Sequence, residues 1–449
     1  MTTFMKSQPN SSRPWKKALL LASVACSLAI PAWANTPVTT PNNLIVVNGT
    51  ATTTGGGTSN LTVTTTTNNV VLSWTNFWDG TSNGGTSNAS DTITYTLPSA
   101  SSSILNQVTG GLATTINGTI SSNGNVYLIN PAGVTISGTG VVNTAGFYVS
   151  TYLEPLSTFE SSGTLAVFQS GSTANANQSG TINIASGASI QTVGGTGNIQ
   201  FAGKTISINS ALAGNVLLVN GGSTVGNIVV GDTGGPATVE GTLTVWGNGG
   251  TVNIGGGHAA TVEGATTIAA NASTQVNLGD GSNAVFQSAT TVSSDNGAVT
   301  TGTGGQVLAQ NNLTINSGTG TTALSVADST TVQGSLAVSS ANTSATGISL
   351  AGTAGTTVDG NLTVTESGTG GGIGQGTGEV SANLLNTTSA FSTTTGNVTL
   401  GNADLASVAA TSTSGNFSLT DSSADAVNLA ASNIGTGNFS VSASRITSS

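Results

Sequence analysis

Apolar residues in this chain come in short bursts, and within each burst they alternate with Thr, Ser or Asn. Such alternation predicts strands that bury every second side chain and turn the others to solvent. Residues 117–151 show it best: apolar runs at 126–129, 134–136, 141–142 and 147–149 are separated by Asn, Gly and Pro. Strand and tight turn in quick succession is how a chain coils into stacked rungs.

The bursts repeat. ATVEGTLTV at 237–245 returns as ATVEGATTI at 260–268, and TTVQGSLAV at 330–338 returns as TVDGNLTV ending at Val364. A three-residue core recurs at 313–315, 398–400, 417–419 and 439–441, often after Gly-Asn, Gly-Thr or Asn-Asn. Leu165, Ile182, Ile199 and Val216 share one spacing in the earlier half. A period of roughly 20 residues with short strands marks a solenoid, because no repeat this short buries a core without its neighbours. The fold expected is all-β: a right-handed parallel β-helix with an N-terminal cap. About 16 to 19 rungs spaced about 4.8 Å apart give a rod of roughly 75–90 Å. An array of β-sandwiches is the competing fold, but it needs longer strands, periods near ~100 residues and an aromatic core.

Trp74-Thr75-Asn76-Phe77-Trp78 is the one aromatic-dense segment, and it reads as part of the cap. The glycine-rich run at 368–378 reads as a flexible loop or insertion; it lacks the Lys-Ser/Thr of a phosphate loop. From Arg445 the sequence ends in Arg-Ile-Thr-Ser-Ser with no visible cap, so a rung is left open or more chain follows.

The first 34 residues read as a secretory signal. Lys6, Arg13, Lys16 and Lys17 precede an apolar stretch at 18–30 that is short for a membrane span. Ala32 and Ala34 supply the small residues a signal peptidase reads, which places cleavage before Asn35. Membrane anchoring, or lipid attachment at Cys26, is the weaker reading; removal of the leader takes away the chain's single cysteine. The expected division is a leader at 1–34, a secretion domain with its cap at 35–225, and a repeat region at 226–449.

Charge narrows the partners. Outside the leader only Lys204 and Arg445 stand against 16 acidic residues. Nucleic acid is excluded, since neutralising phosphates needs clustered Lys and Arg. Anionic membrane surfaces are excluded for the same reason, and no stable membrane insertion is expected.

Several segments between residues 48 and 222 together resemble the secretion domain of the filamentous-haemagglutinin family. They are Asn48-Gly49-Thr50-Ala51, Asn69 to Phe77 around Trp74, Ser103 to Val108 with Leu105 and Asn106, and Ile116 to Ile120. The turn Asn130-Pro131-Ala132-Gly133-Val134 and the strands at 180–184 and 214–216 complete the set. Departures from the family pattern stand at Ser73, Gln107 and Ala132, where it usually has Asn, Arg and Asn. The resemblance implies two-partner secretion: recognition by the POTRA domains of a dedicated outer-membrane β-barrel transporter, passage unfolded, and coiling outside. Asn130, Pro131, Gly133, Leu105, Asn106 and Trp74 are the implied secretion motif, and adhesion to a host-cell or glycan receptor is the implied purpose.

Catalytic chemistry is sparse. His258 is the single histidine, set after three glycines, and no cysteine remains to share a metal with it. A β-helix polysaccharide enzyme needs clustered carboxylates. Here the acids are scattered, with Glu154/Glu160 and Asp421/Asp425 near in sequence. Glu240 and Glu263, one repeat apart, are the pair that a solenoid could stack; with Asp280 they are the test of an enzyme. The expectation is no catalytic residue, no metal and no cofactor. A polysaccharide-processing enzyme and a structural surface-layer or matrix component stay as alternatives to the adhesin.

Overall fold

The computed structural model describes residues 44–448, apart from 56–58, 78–84, 169–179, 222–225, 272–273, 296–297, 320–323, 327–328 and 385–386. The leader, with Cys26 and the cleavage residues Ala32, Ala34 and Asn35, lies outside the described residues, as does Trp78. Among the described residues no helix is long and apolar enough to cross a membrane.

Most coils contribute three strands, and the first and last coils two. One strand per coil joins a 17-stranded sheet, and the remaining one or two join a 28-stranded sheet. In the coil from Val134 these are Val134–Ile136, Val141–Thr144 and Gly146–Ser150. Neighbouring coils pair in parallel, so equivalent side chains stack. Ile182, Ile206, Ile228, Val252, Val276 and Val299 form one such column, each in register with the next and each sealed from solvent. β-branched side chains suit this stacking because their stiff χ1 fits a pleated surface. Burying one such side chain stabilises the coil by about 1.5–3 kcal/mol.

The offsets read from the sequence are coil registers. Ala237 pairs with Ala260 and Val245 with Ile268; Thr331 pairs with Thr357 and Val338 with Val364. The trios at 398–400, 417–419 and 439–441 stack on one another. Leu313–Ser317 sits in the other sheet, between Thr290–Ser294 and Leu336–Ser340.

Three expectations fail. The even spacing from Leu165 to Val216 is a coil register only for its last step, Ile199 on Val216. Ile182 pairs with Val134 and Ile206, and Leu165 belongs to an excursion outside the coils. The segment at 368–378 is not one continuous loop: turns flank Ile373–Gln375, a strand paired with Ile348–Leu350 and, through Ile373, with Val398. Trp74 is not in a cap that precedes the rungs. It ends Asn69–Trp74, already paired in parallel with Ser103–Val108, and lies in the main core. The antiparallel start lies before it: Ile45–Asn48 pairs with Asn69–Trp74, and Ala51–Thr54 with Asn60–Thr65. Antiparallel strands there occupy edges that a parallel coil would leave open.

A second apolar cluster lies on the outer side of the 17-stranded sheet. Val71, Leu105, Tyr127, Tyr148, Leu217 and Val219 point into it from successive coils. It is covered by the excursion between Gly146–Ser150 and Thr181–Ile184, which holds the helix Leu156–Ser162 and the 3-10 turn Ala166–Phe168. Phe159 and Phe168 are its aromatic contacts: Phe159 meets the Tyr127 ring edge-on at 5.1 Å, and Tyr127 stacks on Tyr148 at 4.1 Å. Gly163 closes the helix in the left-handed region, its N–H donating to the Phe159 carbonyl at 2.7 Å.

Candidate functional site

The six residues of the implied motif fall into two places. Trp74, Leu105 and Asn106 lie on the paired strands Asn69–Trp74 and Ser103–Val108. Alternation splits the second strand: Ile104 and Val108 join the main core, while Leu105 joins the outer cluster. Asn106 is fully buried on the inward side. Its Oδ1 accepts from Trp74 Nε1 at 3.1 Å and from the Tyr95 hydroxyl at 2.8 Å, and its Nδ2 donates to the Tyr127 carbonyl at 3.1 Å. A buried amide is tolerated when its partners are in place, and here both lone pairs of Oδ1 are used. Burial pushes the Tyr95 phenol up, against the bond to Asn106, so it serves as a donor. Tyr95 was missed in the sequence; its place in the alternating run Thr92–Thr96 is the signal that could have found it.

Asn130, Pro131 and Gly133 make the turn from Asn125–Ile129 to Val134–Ile136. Asn130 is buried, and its Nδ2 donates to the Leu112 carbonyl at 2.9 Å and to Thr114 Oγ1 at 2.8 Å. Its Oδ1 accepts the Ala132 N–H at 3.0 Å, and its carbonyl accepts the Gly133 N–H at 3.0 Å. Gly133 has φ +119°, and a Cβ there would come within 2.9 Å of the Thr181 carbonyl oxygen of the next coil. Glycine meets both demands. The turn is therefore clamped between the coil before it and the coil after it. Every side-chain polar atom of Asn130 is spent inside the fold; Pro131 is half-buried and Ala132 exposed.

The three departures are also placed. Ser73 and Gln107 are register partners on adjacent strands, both half-buried on the outer side of the sheet. Ala132 contributes only its N–H to the turn.

The candidate acids do not form a catalytic cluster. Glu240 and Glu263 are exposed at equivalent positions, each following a paired valine, and the Glu263 N–H donates to the Val239 carbonyl. Gln287, Gln310 and Gln333 continue the same position, so the pair opens a ladder of glutamates and glutamines on a turn. Asp280 lies at an isolated bridge to Gly304. The His258 N–H donates to the Gly231 carbonyl, and His258 is exposed. Glu154 turns inward to the excursion, where its carboxylate accepts the Ala166 N–H at 2.7 Å; partial burial raises its pKa and that bond opposes the shift. Asp421 is buried and accepts from Leu405 and Ser423. Among the described residues no three His, Cys, Asp or Glu side chains gather to hold a metal.

The model of the TPS secretion domain, a family of secretion domains, matches residues 37–315. The heme/hemopexin-binding protein of Haemophilus influenzae is 42% identical over 59 residues, which are 13% of this chain and span 6% of that relative. The crystal structure of the HMW1 secretion domain, also from Haemophilus influenzae, aligns with TM-score 0.32 and 14% identity, covering 91% of this chain and 100% of that one.

Proposed function

This chain belongs to the TPS secretion-domain family, of filamentous-haemagglutinin type, and from that premise we propose that its secretion motif is read before the chain folds. An exoprotein of this family leaves the cell by two-partner secretion, through a partner transporter in the outer membrane, to the medium or the cell surface. The family is one of exoproteins, not of enzymes. The observation that carries the proposal is burial. In the coiled state Trp74, Leu105, Asn106 and Asn130 are sealed, and the polar atoms of both asparagines are engaged inside the protein. A transporter has no access to them there. In the unfolded chain they are open, so the POTRA domains in the periplasm are the readers we assign, and the same residues then lock the first coils outside. The segment 35–225 is the part we assign to export, since the cover and all of the outer apolar face but its end at Trp246 lie within it; the repeat region 226–449 is the body it carries.

For that body the reading we favour is adhesion to a glycan or host-cell receptor, through hydroxyl and amide ladders on its outer faces that make many weak hydrogen bonds together. This last step is an analogy at the level of the fold. The ligand named by the heme/hemopexin-binding relative is not carried over, because only a short stretch of that protein aligns.

The test separates export from folding. The chain is expressed behind its own leader, with and without the transporter from the same source. Transporter-dependent release or surface display is expected. Asn130→Ala and Trp74→Phe chains, refolded in vitro and exported in cells, should lose export by a larger factor than they lose refolding yield. Equal losses in the two assays would reduce the motif to a folding element. Periplasmic retention with an active transporter would reject the pairing.

A further inference from the structure

We propose that Glu366 is a buried proton switch: the coils from Leu336 to Thr393 close around its neutral carboxyl and open when it ionises. Glu366 ends the strand Leu362–Glu366 on the inward side, after Leu362 and Val364, and is 1% exposed. It stacks on Ser340 in the coil before and Thr393 in the coil after. Ser294, Ser317 and Ser412 extend the column, all of them buried. One ionisable side chain therefore interrupts a run of hydroxyls.

Its two oxygens differ. Oε1 accepts the Gly368 N–H at 2.9 Å, while Oε2 is sealed from solvent with no partner. Glycines make the space, since a Cβ on Gly347 or Gly371 would collide with the side chain. The segments placed against it are 336–347, 367–372 and 389–393, and none contains a charged or titratable residue. Asp421 shows the other way to bury a carboxylate: Oδ1 accepts from the Ser423 N–H and hydroxyl, and Oδ2 from the Leu405 N–H. Glu366 differs in that Oε2 is left outside the bonds made to its carboxyl, and a buried carboxylate oxygen left bare favours the neutral acid. Burial raises its pKa above the ordinary value of 4.5; bonds from Gly368, Ser340 and Asn342 oppose the shift without cancelling it.

Closing the coil takes one proton from solvent, converting the carboxylate to the acid with the hydrogen on the otherwise bare Oε2. Because the folded pKa is raised, the stabilisation is complete below the ordinary value that the unfolded chain keeps. It is lost as pH rises through the folded value. Acid then tightens these coils and alkali loosens them, while coils without an inward acid do not respond.

The experiment is hydrogen exchange on the full chain between about pH 3 and pH 8, a window that starts below the unfolded carboxyl value, corrected for intrinsic exchange and read on peptides within 336–393. Opening in the wild type should rise with pH from the open-state pKa up to the raised folded pKa, by at most about tenfold per pH unit, the slope of a single proton, and level off above it. Glu366→Gln and Glu366→Ser should close these coils and show no slope. A flat wild type, or the same slope in E366Q, overturns the proposal. Coils that stay open in both variants at every pH overturn it as well, since a neutral side chain would then be insufficient. Calcium chloride at the upper pH should change nothing; closure by calcium would make a cation the partner and reject the proton.

Discussion

The coils up to Val219 and those beyond Trp246 share a backbone and an inward core, yet they differ on the outer side of one sheet. In the first group strands such as Gly146–Ser150 and Asn215–Asn220 are buried on both faces. In the second, Thr290–Ser294, Leu313–Ser317 and Leu336–Ser340 bury alternate residues only. The register makes the change explicit: Val219 is followed by Trp246, then Ala269, then Ser293 and Asn316. Trp246 is half-buried against the end of the outer cluster, and hydroxyls and amides take over beyond it. Inward alternation is enough to make a coil. The second apolar face is an addition that has to be covered, and the excursion with Phe159 and Phe168 covers it.

Phe159→Ala puts that difference under the greatest strain. Its ring is fully buried between the cover and Tyr127. Truncation of a buried Phe costs about 3–5 kcal/mol. Hydrogen exchange should show protection falling between residues 69 and 220, with 290–340 unchanged, because each coil of a solenoid depends mainly on its neighbours. A loss that spread evenly to residue 340 would mean the two regions fold as one unit and the distinction has no energetic content.

Asn130→Ala probes the first region with a smaller lesion. It leaves the Leu112 carbonyl and Thr114 Oγ1 without their donor and the Ala132 N–H without its acceptor. An unsatisfied buried group costs about 1–3 kcal/mol, so the unfolding free energy of the N-terminal coils, read from denaturant titration, should fall by an amount in that range. A cost near zero would show that the turn holds its shape from Pro131 and Gly133 alone.

The parts of the fold that could be read from sequence are those set by alternation and repetition. The columns through Ile206 and Val252, and the registers of Ala237 on Ala260 and Val338 on Val364, follow from which residues alternate and how far apart the phrases lie. The cover was not legible. Leu156, Phe159 and Leu165 have no coil period, and no local signal tells an outward Tyr127 that a helix will lie on it. Leu165 fell on a plausible spacing by coincidence. Residues 373–375 looked like a loop because glycine is poor in isolated strands, yet in a stacked coil Gly374 pairs in register with Ser349. The motif residues were found from the resemblance, but their linkage through Asn106 and Tyr95 needed coordinates. Glu366 was available from parity alone, as the third inward position after Leu362 and Val364.

Asn312→Ala makes the smallest change and sharpens the contrast most, since it asks whether an asparagine in the second region does the work of Asn130. Asn312 is exposed, and its Oδ1 accepts the Ser335 N–H of the next coil at 2.9 Å. Asn283, Asn361, Asn397 and Asn416 do the same for Gln306, Thr388, Asn416 and Asn438. These ladders explain why so many strands follow an asparagine: its amide stands in for the strand acceptor where the chain turns. Water reaches the site, so it replaces the lost acceptor, and the cost should fall near the lower end of about 0.5–1.5 kcal/mol. Faster exchange should appear at Ser335 without change at Leu336, whose N–H donates to the Asn361 carbonyl. A cost above about 2 kcal/mol, beyond what one exposed hydrogen bond supplies, would place the exposed ladder beside the buried clamp. The second region would then be held by its turns as much as by its core.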